Sequence, residues 1–186
     1  MNGYAGAGML LWAALALASA LIGAAQIRRR RSAFTRPPGV VLLLAGHVVV
    51  SVTVAWLFAV SGPVPPPWSW IAVGIAALAA LTCGNVLVIS IFGFADATAP
   101  PGAPRVQRTI LRGGALIGGL ERLAMLGTLL AGWPEGIAAI VAVKAFARYP
   151  ELRAGQGTGA TERFIIGTFA SLGWAGACAG IVMILL

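Results

Sequence analysis

Three pairs of ionisable residues in the second half of the chain are of types that could do chemistry: Glu121 with Arg122, Lys144 with Arg148, and Glu162 with Arg163. Each lies in or beside an apolar run, the first inside "GGLERLAML". A carboxylate there could act as a general base, and guanidinium or ammonium groups could hold a phosphate. Neighbours in sequence are ~100° apart around a helix, so Glu121 and Arg122 cannot readily satisfy each other. Glu121 is nine residues past Arg112, about 13 Å along a helix and well inside the hydrocarbon. A charge at that depth costs a few kcal/mol or more unless paired, so partners are required on other helices.

The tight "GWPEG" segment points to one partner. Glu121 lies twelve residues before Trp133 and Lys144 ten after Pro134, so both sit about 15–18 Å from that turn if two antiparallel helices leave it. Lys144 is therefore the expected partner of Glu121, which leaves Arg122 for the last span or a bound anion. Lys144 and Arg148 share a helical face, where like charges repel by a few tenths of a kcal/mol. Glu121, Glu151, Glu162 or an external phosphate between them would relieve the repulsion. Glu162, preceded by Thr161 after the glycine-rich "GQGTGAT", can alternatively complement a helix dipole at an N-terminus.

Other chemistries lack parts. The two cysteines, Cys83 and Cys178, have no metal-ligand spacing and read as small buried hydrophobes. His47 is the only histidine and Asp96 the only aspartate, which leaves no metal cluster and no aspartate dyad. Neither a P-loop nor a dinucleotide fingerprint is present. No catalytic residue, metal site or cofactor is therefore assigned. His47, alone in an apolar run, is expected to pack, to bond across helices or to relay protons.

The elements that must position these residues are set by composition. The chain is 59% hydrophobic and 10% charged, against about 25% charged in soluble domains. Mean hydropathy is +0.92. An all-α polytopic transmembrane bundle is expected, one membrane domain over residues 1–186, with six spans at about 5–27, 39–60, 68–92, 113–133, 134–149 and 162–186. The fifth is short enough that it and the fourth could instead form a re-entrant hairpin, and Pro150 should end its helix near Tyr149. Residues 1–27 lack Lys and Arg while "RRRR" follows at 28–31, which reads as an anchor rather than a cleavable signal.

Arginines fill the segments after spans one, three and five: Arg28 to Arg31 and Arg36, then Arg105, Arg108 and Arg112, then Arg148, Arg153 and Arg163. "SGPVPPP" and "GWPEG" hold no cation. Positive-inside asymmetry thus places both termini outside and the basic loops in the cytoplasm. Trp68, Trp70 and Trp133 flank the uncharged loops, as interfacial rings do. "PRVQRTILR" puts Arg105, Arg108 and Arg112 on one stripe, as in a short surface helix. The net charge of +8 is therefore directed at anionic lipid and not at nucleic acid. The arginine, alanine, glycine and proline bias suggests a bacterial cytoplasmic membrane. Gly114 and Gly118, Ala115 and Gly119, Gly173 and Ala177, and Gly176 and Gly180 have the small-residue spacing of close helix pairs.

The stretch "GGALIGGLERLAML … IVAVKAFARYPELR … TERFIIGTFASLGWA" resembles the C-terminal membrane part of a family of uncharacterised bacterial and phage-encoded integral membrane proteins. Their pattern runs Ile-Gly-x-Leu-Glu-Arg, then Ala-Lys-x-x-x-Arg-Phe, then Glu-Tyr-x-Leu-Ile-Gly-Thr-Leu-x-Ser. The matching positions are Ile117, Gly118, Leu120, Glu121 and Arg122; Lys144 and Arg148; and Glu162, Ile166, Gly167, Thr168 and Ser171. Val143, Tyr149 and Arg163 depart from it. The resemblance covers about residues 113–175 and implies that these polar residues form one constellation; it brings no reaction.

Two functions are consistent with this pattern. One is a protein that binds or moves an anionic lipid or phosphate-bearing ligand through a cytoplasm-facing basic pocket of Arg122, Lys144, Arg148 and Arg163, shaped by Glu121 and Glu162. The other is a structural or assembly subunit, in a homo-oligomer or with a membrane partner, whose charges are closed ion pairs. A lipid-modifying enzyme with Glu121 as base lacks a nucleophile or metal to work with.

Overall fold

The computed structural model describes residues 2–28, 37–98, 114–154 and 159–186 of the chain. Among these the regular structure is all helical: α1 (Gly3–Arg28), α2 (Pro37–Ser61), α3 (Trp68–Thr98), α4 (Gly114–Leu130), α5 (Gly136–Ala154) and α6 (Ala160–Met183). Helices satisfy every backbone polar group within one segment, which a bilayer demands. Gly62 and Gly132 end α2 and α4 with φ of 70°, a left-handed conformation that glycine adopts without strain. There Gly62 N–H donates to Phe58 O at 3.1 Å and Gly132 N–H to Leu129 O at 3.1 Å.

Four stretches, Gly3–Ala25, Gly39–Ser61, Trp68–Ala95 and Thr161–Met183, are long and apolar enough to cross a membrane. α4 has 17 residues, about 25 Å of helix against ~30 Å of hydrocarbon. The six expected spans thus divide into four full-length helices and a shorter α4–α5 pair. Two expected boundaries move. α3 continues past residue 92 to Thr98. α5 runs through Pro150 to Ala154; the lost N–H bond and the crowding of the i−4 carbonyl fall near its end, where little helix remains to be disrupted.

α3 lies at the centre, packed against α1, α2, α4 and α6. Most of its buried side chains are small, Ala72, Ala76, Ala79, Ala80 and Cys83 among them, so neighbouring backbones come close. α1 and α2 meet through Trp12 and Phe58, edge to face at 6.0 Å. Large apolar side chains such as Leu10, Leu42, Phe146 and Phe169 are exposed and present an outer surface suited to lipid.

Hydrogen bonds group the chain's ends. Asn2 Nδ2 donates to Ser61 O at 2.9 Å, and Val64 N–H donates to Leu185 O at 3.0 Å. Both termini and the 62–67 loop therefore share one end of the bundle. α4 runs parallel to α6, since Arg122 meets Ser171 and Met125 packs with Leu172 and Ala175. The 131–135 turn faces the same end as the termini. Segments 29–36, 99–113 and 155–158, with most of the arginines and the expected Arg105–Arg108–Arg112 surface helix, lie outside the described residues. A reporter fused after Leu186 is expected to be exported, and one inserted at 155–158 to stay in the cytoplasm. Both on one side of the membrane would overturn the six-helix threading.

Candidate functional site

Arg122, at 4% exposure, is the most buried arginine, lysine or carboxylate side chain described. Leaning toward the N-terminus of α4, as helical side chains do, it passes Gly118 and crosses α3 at Gly84. A Cβ on Gly84 would stand 2.6 Å from Arg122 Cδ, so only glycine leaves room. Nη1 donates to Ser171 Oγ on α6 at 3.1 Å, and Nη2 donates to the Leu81 carbonyl on α3 at 3.3 Å. Nε is buried without a partner, as is Thr168 Oγ1, one turn before Ser171. Both acceptors are neutral.

Glu121 does not neutralise Arg122. It projects from another face of α4, where Lys144 Nζ of α5 forms an ion pair with its Oε2. The two side chains are 12% and 17% exposed. Their charges cancel, and the positive charge of Arg122 remains without a carboxylate bonded to it among the described residues. A charge so placed is costly in hydrocarbon.

The other candidates are dispersed. Arg163 lies with its guanidinium carbon 5.5 Å over the Phe92 ring, a cation–π arrangement. Gly167 makes room for that ring, since a Cβ there would come within 2.8 Å of Phe92 Cζ. Arg148 is half-buried on α5, one turn beyond Lys144, and Glu162 is exposed in the first turn of α6. Gly159, not Thr161, caps that helix.

A cleft of about 330 Å³ is lined by Ser19, Ala20, Gly23 and Ala24 of α1, Leu81, Thr82 and Asn85 of α3, and Gly119 and Arg122 of α4. Of the four cations expected to form a pocket, Arg122 alone lines it. α1 and α4 each lean on α3 without comparable contact between them. The cleft is thus a lateral gap with α3 as its floor. Ser19 and Arg122 are buried, while Leu17 and Leu21 on one side and Leu116 and Leu120 on the other are exposed. Polar groups at depth with apolar flanks form an amphipathic site.

Behind Ser19 stands His47, 4% exposed. Ser19 Oγ is 2.9 Å from His47 Nε2, and His47 Nδ1 is 2.8 Å from the Leu43 carbonyl. The Trp174 ring meets the imidazole edge to face at 6.0 Å and is fixed by its own Nε1–H bond to Ala79 O at 3.1 Å. Of the roles open to a lone histidine, His47 shows both packing, against Trp174, and a cross-helix bond, to Ser19. Sequence reading missed Ser19, Thr82, Asn85 and Gly84 as parts of the site. Asn85, an amide inside an otherwise apolar span, was the signal that could have found α3's share.

Of the small-residue motifs, Gly119 packs tightly on Leu81 and Gly176 touches Met125, whereas Gly114, Gly173 and Gly180 face open space. Compared with known protein families, with curated proteins and with solved structures, the chain shows no match.

Proposed function

We propose that this chain is a multi-pass protein of a bacterial cytoplasmic membrane that binds, and moves, an anionic phosphate-bearing lipid in the cleft between α1, α3 and α4. The observation that carries this reading is Arg122, a cation at 4% exposure bonded only to neutral acceptors, bordering a cleft with room for a ligand. An anion supplied from outside the chain offsets its desolvation, and guanidinium suits phosphate oxygens. The lateral gap favours a lipid over a free ion, since acyl chains can stay along the apolar flanks while the headgroup enters. Basic pockets between helices on the cytoplasmic side are a known form of headgroup site.

The test is native mass spectrometry of protein purified from mixed phosphatidylglycerol and phosphatidylcholine. Wild type is expected to retain phosphatidylglycerol preferentially, and Arg122→Met to lose at least fivefold of that retention. Inorganic phosphate in excess should not displace it; displacement would shift the reading to a free anion. The second reading, a structural subunit, is favoured by the closed Glu121–Lys144 pair. It predicts equal retention in wild type and Arg122→Met.

A further inference from the structure

Ser19 belongs both to the cleft wall and to the His47 hydrogen bond, and that double role fixes the direction in which its hydroxyl points. The Leu43 carbonyl can only accept, so at 2.8 Å His47 Nδ1 must carry the hydrogen. In neutral imidazole the other nitrogen is then an acceptor. Ser19 therefore donates to Nε2, and only its oxygen lone pairs are left for the cleft and for the Cys83 thiol, which also lies within hydrogen-bond reach. A phosphate oxygen arriving there meets an acceptor, and the two repel.

One proton reverses this. On an imidazolium both nitrogens donate, so Nε2–H now donates to Ser19 Oγ, and the hydroxyl hydrogen is released to swing toward the cleft. The same serine becomes a donor to an anion. We infer that phosphate binding in the cleft is coupled to uptake of one proton at His47 Nε2, transmitted by the reversal of the Ser19 hydroxyl. The coupling rests on the lipid-binding reading above and adds a proton to each headgroup bound.

Among the described residues no other counter-charge touches this place. α2 packs against α1, α3 and α6. Toward this region α1 presents Ser19, α3 the Cys83 thiol beside Ser19, and α6 the Trp174 ring, with the buried Cys178 one turn past Trp174 and Ser51 one turn on along α2 itself. Arg122 of α4 is the described cation that lines the same cleft as Ser19, and it reaches Ser171 one turn before Trp174. Among the described residues no carboxylate contacts His47 or Ser19. An imidazolium in this place and Arg122 would thus flank one anion, and the anion stabilises both. By linkage, each then favours the binding of the other by the same factor.

The chain's single histidine makes the test direct. Protein with heavy-nitrogen histidine, purified through a tag free of histidine, is placed in phosphatidylcholine nanodiscs at about pH 8, where an ordinary imidazole is neutral. Its spectrum should show one imidazole protonated at Nδ1. Adding phosphatidylglycerol, whose phosphodiester charge is constant over this range, should convert the signal to imidazolium. Affinity should rise about tenfold per unit of falling pH while lipid-free His47 stays neutral. Ser19→Ala and His47→Gln should bind weakly and without pH dependence. Phosphatidylglycerol bound to wild type with His47 still neutral, or a lipid-free Nε2–H tautomer, overturns the coupling and leaves the lipid reading intact. No phosphatidylglycerol bound at any pH overturns both.

Discussion

Glu121→Gln and Lys144→Met are each expected to lower unfolding stability in detergent by about 3 kcal/mol, and the double variant to recover at least half of the summed loss. The two side chains are only 12% and 17% exposed, so neither charge is hydrated enough to stand alone. Removing one partner strands the other's full charge in low dielectric, whereas removing both leaves a neutral contact between α4 and α5. The α4–α5 interface has little else to hold it beyond Ile137 and Ile140 against Met125 and Leu129, so the loss should not be masked by neighbouring packing. A thermal or denaturant double-mutant cycle reads the coupling directly. Simple additivity of the two losses would mean that the pair contributes nothing, and Glu121 would then have to be held some other way.

Gly84→Ala is expected to be nearly as damaging, by a different route. Its new Cβ would stand 2.6 Å from Arg122 Cδ, 2.9 Å from Nε and 3.1 Å from Trp174 Cδ1. These atoms are the middle of one side chain and the ring of another, neither of which can swing aside freely. Overpacking of this kind costs about 1–3 kcal/mol, and displacing the guanidinium from Leu81 O and Ser171 adds the cost of an unsatisfied buried charge. Phosphatidylglycerol retention should fall to the level of Arg122→Met. Combining Gly84→Ala with Arg122→Ala should restore stability, because the space is vacated, but not retention. Wild-type stability and retention in Gly84→Ala would show that Arg122 does not need this position.

The Glu121–Lys144 pair was readable in the sequence because a short turn joins α4 to α5. With the turn fixed, counting residues at ~1.5 Å gives depth, and Lys144 emerges as the neighbour of Glu121. Arg122 was readable in outline for the same reason: ~100° from Glu121, it had to face something else, and Ser171 of the last span is what it faces. The Ser19–His47 bond offered no such handle. Residues 29–36 separate the two helices, and no turn of known length sets one against the other. Nor did charge mark the cleft, since α1 and the inner half of α3 contribute to it through Ser19, Thr82 and Asn85, each ordinary alone. Pro150 misled for a physical reason: its penalty, a lost hydrogen bond and a crowded i−4 carbonyl, falls near the end of α5, where it interrupts little. The glycine spacings in the last span predicted close packing in general, but only contact with a particular partner, Met125 on Gly176, distinguishes a packed glycine from one facing open space.

The adjacency of Glu121 and Arg122 has a mechanical consequence. One side of α4 is fastened to α5 through Lys144, and another to α3 and α6 through Leu81 O and Ser171. Rotating α4 about its axis, or sliding it by a turn, would break both fastenings at once, so α4 behaves as a stator. α1, across the cleft, shows no ion pair among its described side chains; it is held by the buried Ala5, Met9, Trp12 and Ala16 and by the Ser19–His47, Cys83–Leu15 O and Asn2–Ser61 bonds. The two walls of the cleft are thus held by different means, α4 by charge and α1 by close packing against α2 and α3.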